Sequence, residues 1–124
     1  MKRIGGSVVW ECRFGRGMEK LIRAGKKFRT LRAGHRVMPD DALRLTDTFG
    51  ITIQEVNARA VASVLICAGE REITVLVDGE RLSESEKKVF AKKDGFGSIA
   101  ELVEFLHERG KLANGVFDGQ VIGW

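Results

Sequence analysis

Residues 58–79 read ARAVASVLICAGEREITVLVDG, two apolar runs rich in valine and isoleucine that meet at Ala68-Gly69-Glu70. β-branched side chains pack well on a pleated surface, and a short glycine-bearing interruption between two such runs is a hairpin signal. The stretch predicts two long antiparallel strands, so a sheet is the frame around which the remaining segments must pack.

Downstream, the pattern changes period. Ser83-Glu84-Ser85-Glu86 and Ser98-Ile99-Ala100-Glu101 both have the form of a capping box, in which serine and the glutamate three residues on satisfy free amides at a helix start. The second predicted helix sets Ile99, Leu102, Val103 and Leu106 at i, i+3, i+4 and i+7, a core-facing stripe, and Gly110 ends it. GVFDGQVIGW (115–124) supplies a closing strand. Upstream, SVVWECRF (7–14) reads as a strand and GRGMEKLIRAG (15–25) as a short helix. Met18, Leu21 and Ile22 lie on one side of that helix, and Gly25 is its stop. RTLR (29–32) and ALRLTD (42–47) read as further strands, Leu43 and Leu45 alternating with polar neighbours. The order β-α-β-β-β-β-α-α-β with antiparallel hairpins predicts an α+β fold around a small barrel-like sheet. No repeat, low-complexity tract or linker divides residues 1–124, which read as a single domain.

The chain has 124 residues, 44% of them hydrophobic, enough for one domain with its own core. No run has the length of a membrane span, and MKRIGGSVVWEC lacks the apolar centre of a signal peptide. Cys12 and Cys67 belong to no Cys-x-x-Cys pair, and His35 and His107 lack metal-ligand spacing. The expectation is a reduced, cytoplasmic protein with no metal, no cofactor and no membrane association.

Charge is distributed unevenly. Residues 1–39 carry eleven Lys/Arg against two acids, and residues 40–124 carry ten against fifteen, giving +9 and −5 for a net +4. A basic segment folded against an acidic remainder makes a positive face suited to phosphate-bearing partners. The alternative is that the charges spread over the surface and keep the protein dispersed. The densest part is GKKFRTLRAGHR (25–36), where Lys26, Lys27, Arg29, Arg32, His35 and Arg36 surround Thr30. Such a cluster can contact backbone phosphates, with Trp10 or Phe28 available to stack on a base; burial is the competing fate of Trp10.

RFGRGMEKLIRAGKKFRTLRAGHRVMPDDALRL (13–45) resembles the ASCH domain, a branch of the PUA-like superfamily. The family pattern, R-F…I-x-x-G-x-K-x-x-T-I-R, is matched by Gly25, Lys27, Thr30 and Arg32, with Leu31 for isoleucine. Asp94-Gly95-Phe96 and the ending FDGQVIGW resemble the small ASCH-like proteins of phages and prophages, whose tail is F-x-G-x-I-I-x-W. Asp40-Asp41 stands where the family has a Gly-Asp turn, and Gly123 where relatives often carry a basic residue or histidine. The resemblance implies a PUA-like, mostly antiparallel β-barrel with flanking helices and a cleft for RNA, a nucleoside or a nucleotide. It also implies, for one branch, an amidohydrolase that removes the acetyl group of N4-acetylcytidine with a lysine, a threonine three residues later and a distant glutamate. Those positions fall on Lys27, Thr30 and, in Ala91-Lys92-Lys93-Asp94, on Asp94 in place of glutamate.

Chemically, Thr30 is a nucleophile only if a base takes its proton. Lys27 can do so if its pKa falls, as neighbouring cations would make it, and Asp94 can orient the lysine or pass a proton to the leaving amine. Residues three apart on a regular strand face opposite ways, so Lys27 must lie in a turn before the strand that carries Thr30. The plain alternatives are Thr30 as a β-former, Lys27 as a solvated charge and Asp94 as a helix junction. The sequence therefore supports first a nucleic-acid-binding module. The alternative is an acyl-nucleoside amidohydrolase with Arg32 as anchor, and beyond it a ribonuclease or an adaptor that binds an unidentified protein through the acidic half.

Overall fold

A computed structural model describes residues 2–3, by their backbone, and residues 9–124. Its strands are β1 (Lys2–Arg3), β2 (Val9–Arg13), β3 (Arg29–Ala33), β4 (Ala42–Thr46), β5 (Thr52–Asn57), β6 (Ala60–Ala68), β7 (Ile73–Val77), β8 (Glu80–Arg81) and β9 (Val116–Gly123). Its helices are α1 (Arg16–Arg23), α2 (Glu84–Lys93) and α3 (Ile99–Glu108). The fold is α+β, as expected, but among the described residues the strands form two sheets and the expected barrel does not close. Ser7 and Val8 of the first predicted strand lie outside the described residues.

The strands form a four-stranded sheet in the order β1-β2-β4-β5 and a five-stranded sheet in the order β3-β9-β6-β7-β8. Among the described residues no ladder joins the two. All pairings are antiparallel except β2 with β4, where Val9–Arg13 runs parallel to Ala42–Thr46. Between those two strands the chain makes α1 and then crosses to the other sheet as β3. The predicted hairpin is β6–β7, closing from Ala68↔Ile73 with the Gly69 amide on the Glu72 carbonyl (2.9 Å).

Strand β9 organises the interior. Side chains of successive strand residues point to opposite faces. Accordingly Ile122 enters a core with Trp10, Cys12, Phe14, Ile22, Leu43 and Leu45, while Val121 enters a second with Val64, Ile66, Val75, Phe90, Leu102 and Leu106. The first core lies towards the four-stranded sheet and α1, the second beneath α2 and α3. At Gly119 the neighbouring strand comes so close that a Cβ would stand 2.2 Å from the Arg32 carbonyl oxygen. Only glycine fits there.

Helix ends follow the sequence with one change. Ser83 caps α2 with both halves of the box, Glu86 N–H to Ser83 Oγ and Ser83 N–H to Glu86 Oε1. Ser98 caps α3 through the Glu101 amide, but Glu101 reaches back to the Gly97 amide (2.8 Å) instead of Ser98. Asp40 adopts φ +71°. Aspartate tolerates that left-handed region better than most residues. Asp41 steadies the turn by accepting from the Met38 amide and from Trp10 Nε1, both at 2.9 Å. Trp10 is buried, so it does not offer its ring for stacking. Cys12 is buried and Cys67 half-buried, both as free thiols. Among the described residues no helix is long and apolar enough to cross a membrane.

A cationic cleft along the edge of strand β3

Strand β3 is an edge strand, and beside it a cavity of about 350 Å³ opens between the start of α1 and the length of α3. That volume lies within the range of small-molecule sites, roughly 300–1,000 Å³. Four of the predicted site residues line it: Lys27, Thr30, Arg32 and Asp94.

The placement of Lys27 follows from how α1 stops. Gly25 takes φ +68°, and the Lys26 and Lys27 amides both return to the Leu21 carbonyl (2.8 and 3.2 Å). The chain is thereby turned inward before β3 begins at Arg29. Lys27 is off the strand, as the three-residue spacing requires if it is to share a cleft with Thr30. It is only 4% exposed, and its Nζ donates to the main-chain carbonyl of Asp94 at 2.9 Å. Burial pushes its pKa down to about 8, and Arg32 and Arg29 add repulsion that Asp94 partly offsets.

Asp94 closes α2 and is 1% exposed. Its Oδ2 accepts from Arg29 at 2.8 Å, while Oδ1 is buried without a partner. Burial raises its pKa, against the pull of the Arg29 guanidinium. Arg29 is further fixed by the Phe90 carbonyl (2.8 Å) and lies 4.4 Å over the Phe90 ring. Arg32 donates to the Arg13 carbonyl (2.9 Å) and stacks 4.8 Å over Phe14, on the cleft wall.

The remaining basic residues do not converge on the cleft. Lys26 and Arg36 are exposed, and His35 bonds Asp118 at 2.7 Å on the surface. Phe28 is 57% exposed next to Lys26. Among the described residues no three His, Cys, Asp or Glu side chains gather as a metal site would require.

Sequence reasoning missed the opposite wall, where Phe105, Arg109 and Lys111 join Arg13, Phe14 and Phe96. These residues come from separate segments and share no motif. One signal was available: α2 and α3 open on capping serines, but α1 opens on Gly15, which has no side chain to cap with.

The arrangement brings a buried amine of lowered pKa, a hydroxyl and a carboxyl to one enclosed surface, with aromatic walls and excess positive charge. Such a surface can deprotonate an alcohol, bind a flat ring and hold an anion. No protein-family model matches the chain, and no curated protein or solved structure is significantly similar to it.

Proposed function

We propose that the protein is an ASCH-type member of the PUA-like superfamily whose cleft hydrolyses the acyl amide of a modified nucleoside, N4-acetylcytidine being the substrate class to test. The observation that carries this reading is Lys27. A solvated lysine would hold its proton to high pH, but an amine buried in the cleft that Thr30 also lines, with a pKa about 8, is neutral in roughly one molecule in ten at pH 7. That is enough for a general base.

In this reading the neutral Lys27 amine takes the Thr30 hydroxyl proton as the oxygen attacks the acyl carbon. The C–N bond breaks, and the nitrogen leaves as the amine after receiving that proton. Water then attacks the acyl-threonine, releasing the carboxylic acid and restoring the hydroxyl. Asp94 holds Lys27 through its carbonyl, and its carboxyl is the acidic partner, anchored by Arg29. The PUA-like assignment is supported by the three sequence motifs in order and by the mostly antiparallel strands.

The test is to incubate the protein with N4-acetylcytidine and to follow cytidine and acetate by chromatography. Turnover should rise with pH through about 8 and fall at least 100-fold in Thr30→Ala and in Lys27→Ala. Release of acetate that is indifferent to both substitutions would remove the mechanism.

A second reading, a surface that binds single-stranded RNA, is favoured by the exposed Phe28 beside Lys26. Filter binding would then fall steeply with salt and weaken in Lys26→Ala and Phe28→Ala. Arg29 contributes little to it, because its guanidinium is committed to Asp94 and Phe90.

A further inference from the structure

The cleft has a second end, at the start of α1, and its charges are unanswered. Helix α1 spans eight residues behind Gly15, so no side chain caps its first amides, and Gly15 and Met18 both line the cleft. Those amides carry the positive end of the helix dipole, and a helix N-terminus with free N–H groups is suited to an anion.

Two guanidinium groups arrive at the same corner. Arg32 rests on Phe14 and the Arg13 carbonyl, and its Nε is buried without an acceptor. Arg109, at the end of α3, stacks 4.8 Å over Phe105, and its Nη2 lies 3.3 Å from where a Cβ on residue 15 would stand. Neither forms an ion pair among the described residues. Glu11, Glu19 and Asp94 pair instead with Arg13, Arg23 and Arg29. Lys111 adds further positive charge to the lining. Burial lowers the pKa of Arg32, and repulsion from Arg109 acts in the same direction. A guanidinium taken from water with no counter-ion is costly, and proteins normally answer one with a carboxylate. Arg32 is half-buried and Arg109 exposed, and with no carboxylate paired to either among the described residues, both guanidinium groups are free to meet an anion entering the cleft.

We propose that the uncapped N-terminus of α1, with Arg32 and Arg109, is a subsite for a phosphate monoester, so that the cleft takes a nucleotide in preference to an uncharged nucleoside. This rests on the nucleoside reading above and extends it. Guanidinium forks bind phosphate oxygens through paired hydrogen bonds, and the helix amides supply additional donors. The cavity volume suits one nucleotide and not a strand.

Titration calorimetry with cytidine, cytidine 5′-monophosphate and a short oligocytidine tests the idea, with inorganic phosphate followed by thermal shift. The monophosphate should bind about tenfold or more tightly than cytidine. Arg109→Gln and Gly15→Asp should each erase that advantage and leave cytidine binding unchanged. Gly15 has φ −67° and ψ 165°, which aspartate adopts readily, so the new carboxylate would cap α1 and neutralise Arg109 from within. Circular dichroism verifies that both variants fold. Equal affinity for cytidine and its monophosphate in the unaltered protein overturns the subsite and leaves the nucleoside reading standing. Stabilisation by inorganic phosphate that is lost in both variants, without any binding of cytidine, retains the subsite and removes the nucleoside reading. Oligocytidine that binds more tightly than the monophosphate through the same two residues overturns the mononucleotide assignment.

Discussion

At the end of the cleft where α2 stops, the opposite charges pair within the protein, although Arg29 Nε and Asp94 Oδ1 are left without partners: Arg29 bonds Asp94 and the Phe90 carbonyl, and Lys27 bonds the Asp94 carbonyl. At the end where α1 starts, Arg32 and Arg109 meet only carbonyl and aromatic groups. Both arginines of β3 come from one short strand, three residues apart, and therefore face opposite ways. Arg29 points to α2 and completes the protein's own structure. Arg32 points to α1, where it meets the Arg13 carbonyl and the Phe14 ring and no carboxylate. Residue type and local charge density do not separate such roles; the face of the strand does.

Removal of the internal answer is the most damaging way to disturb this contrast. Asp94→Ala leaves Arg29 buried with no counter-charge and should cost about 3 kcal/mol of stability, read from urea unfolding. A cost below about 1 kcal/mol would mean that the pair is solvated and the two ends do not differ.

The next effect has the opposite sign. Between pH about 8 and 10.5 unfolded Lys27 binds a proton that the folded protein does not, so this group makes stability rise with pH across that window. Below about 8 the cost of burying the charge is present in full, and above 10.5 it is gone. Lys27→Met should therefore stabilise the protein at pH 7 by about 2 kcal/mol, after allowing for the lost bond to the Asp94 carbonyl. The gain should vanish by about pH 10.5. A gain independent of pH would assign it to packing.

The smallest effect sharpens the α1 end. Gly15→Asp should add about 0.5 kcal/mol through the cap and its proximity to Arg109, raising the melting temperature by a few degrees. If it lowers the melting temperature, the α1 amides already have partners.

The elements with a clean period were legible: β6 and β7, the α3 stripe and the serine-capped helix starts. β5 was not, because of a bulge. Leu45 pairs Gln54 but Thr46 pairs Thr52, so the inward residues Ile53 and Val56 stand three apart and break the alternation that marks a strand. β1 and β8, two residues each, are too short to carry a pattern. The parallel pairing of β2 and β4 depends on where the chain goes between them, which no local pattern records. In the cleft, Lys27 was legible because its spacing to Thr30 forced a turn. Arg109 was not, because its importance comes from a neighbour 94 positions away, Gly15, whose lack of a side chain is visible only in space.

Strand β9 also sets an order in time. It lies between β3 and β6, pairing Ala33 with Gly119 on one side and Ala60 with Gly123 on the other. A chain still being synthesised, with residues only as far as Asn114 free to fold, has two strands ready and nothing to join them. Long-range pairings of this kind form slowly and leave open strand edges that associate with other chains. The cleft belongs to the same late step, since β3, which carries Thr30 and Arg32, joins the five-stranded sheet only through β9. Until residues 116–123 dock, a nascent chain therefore has neither a finished sheet nor a place to bind.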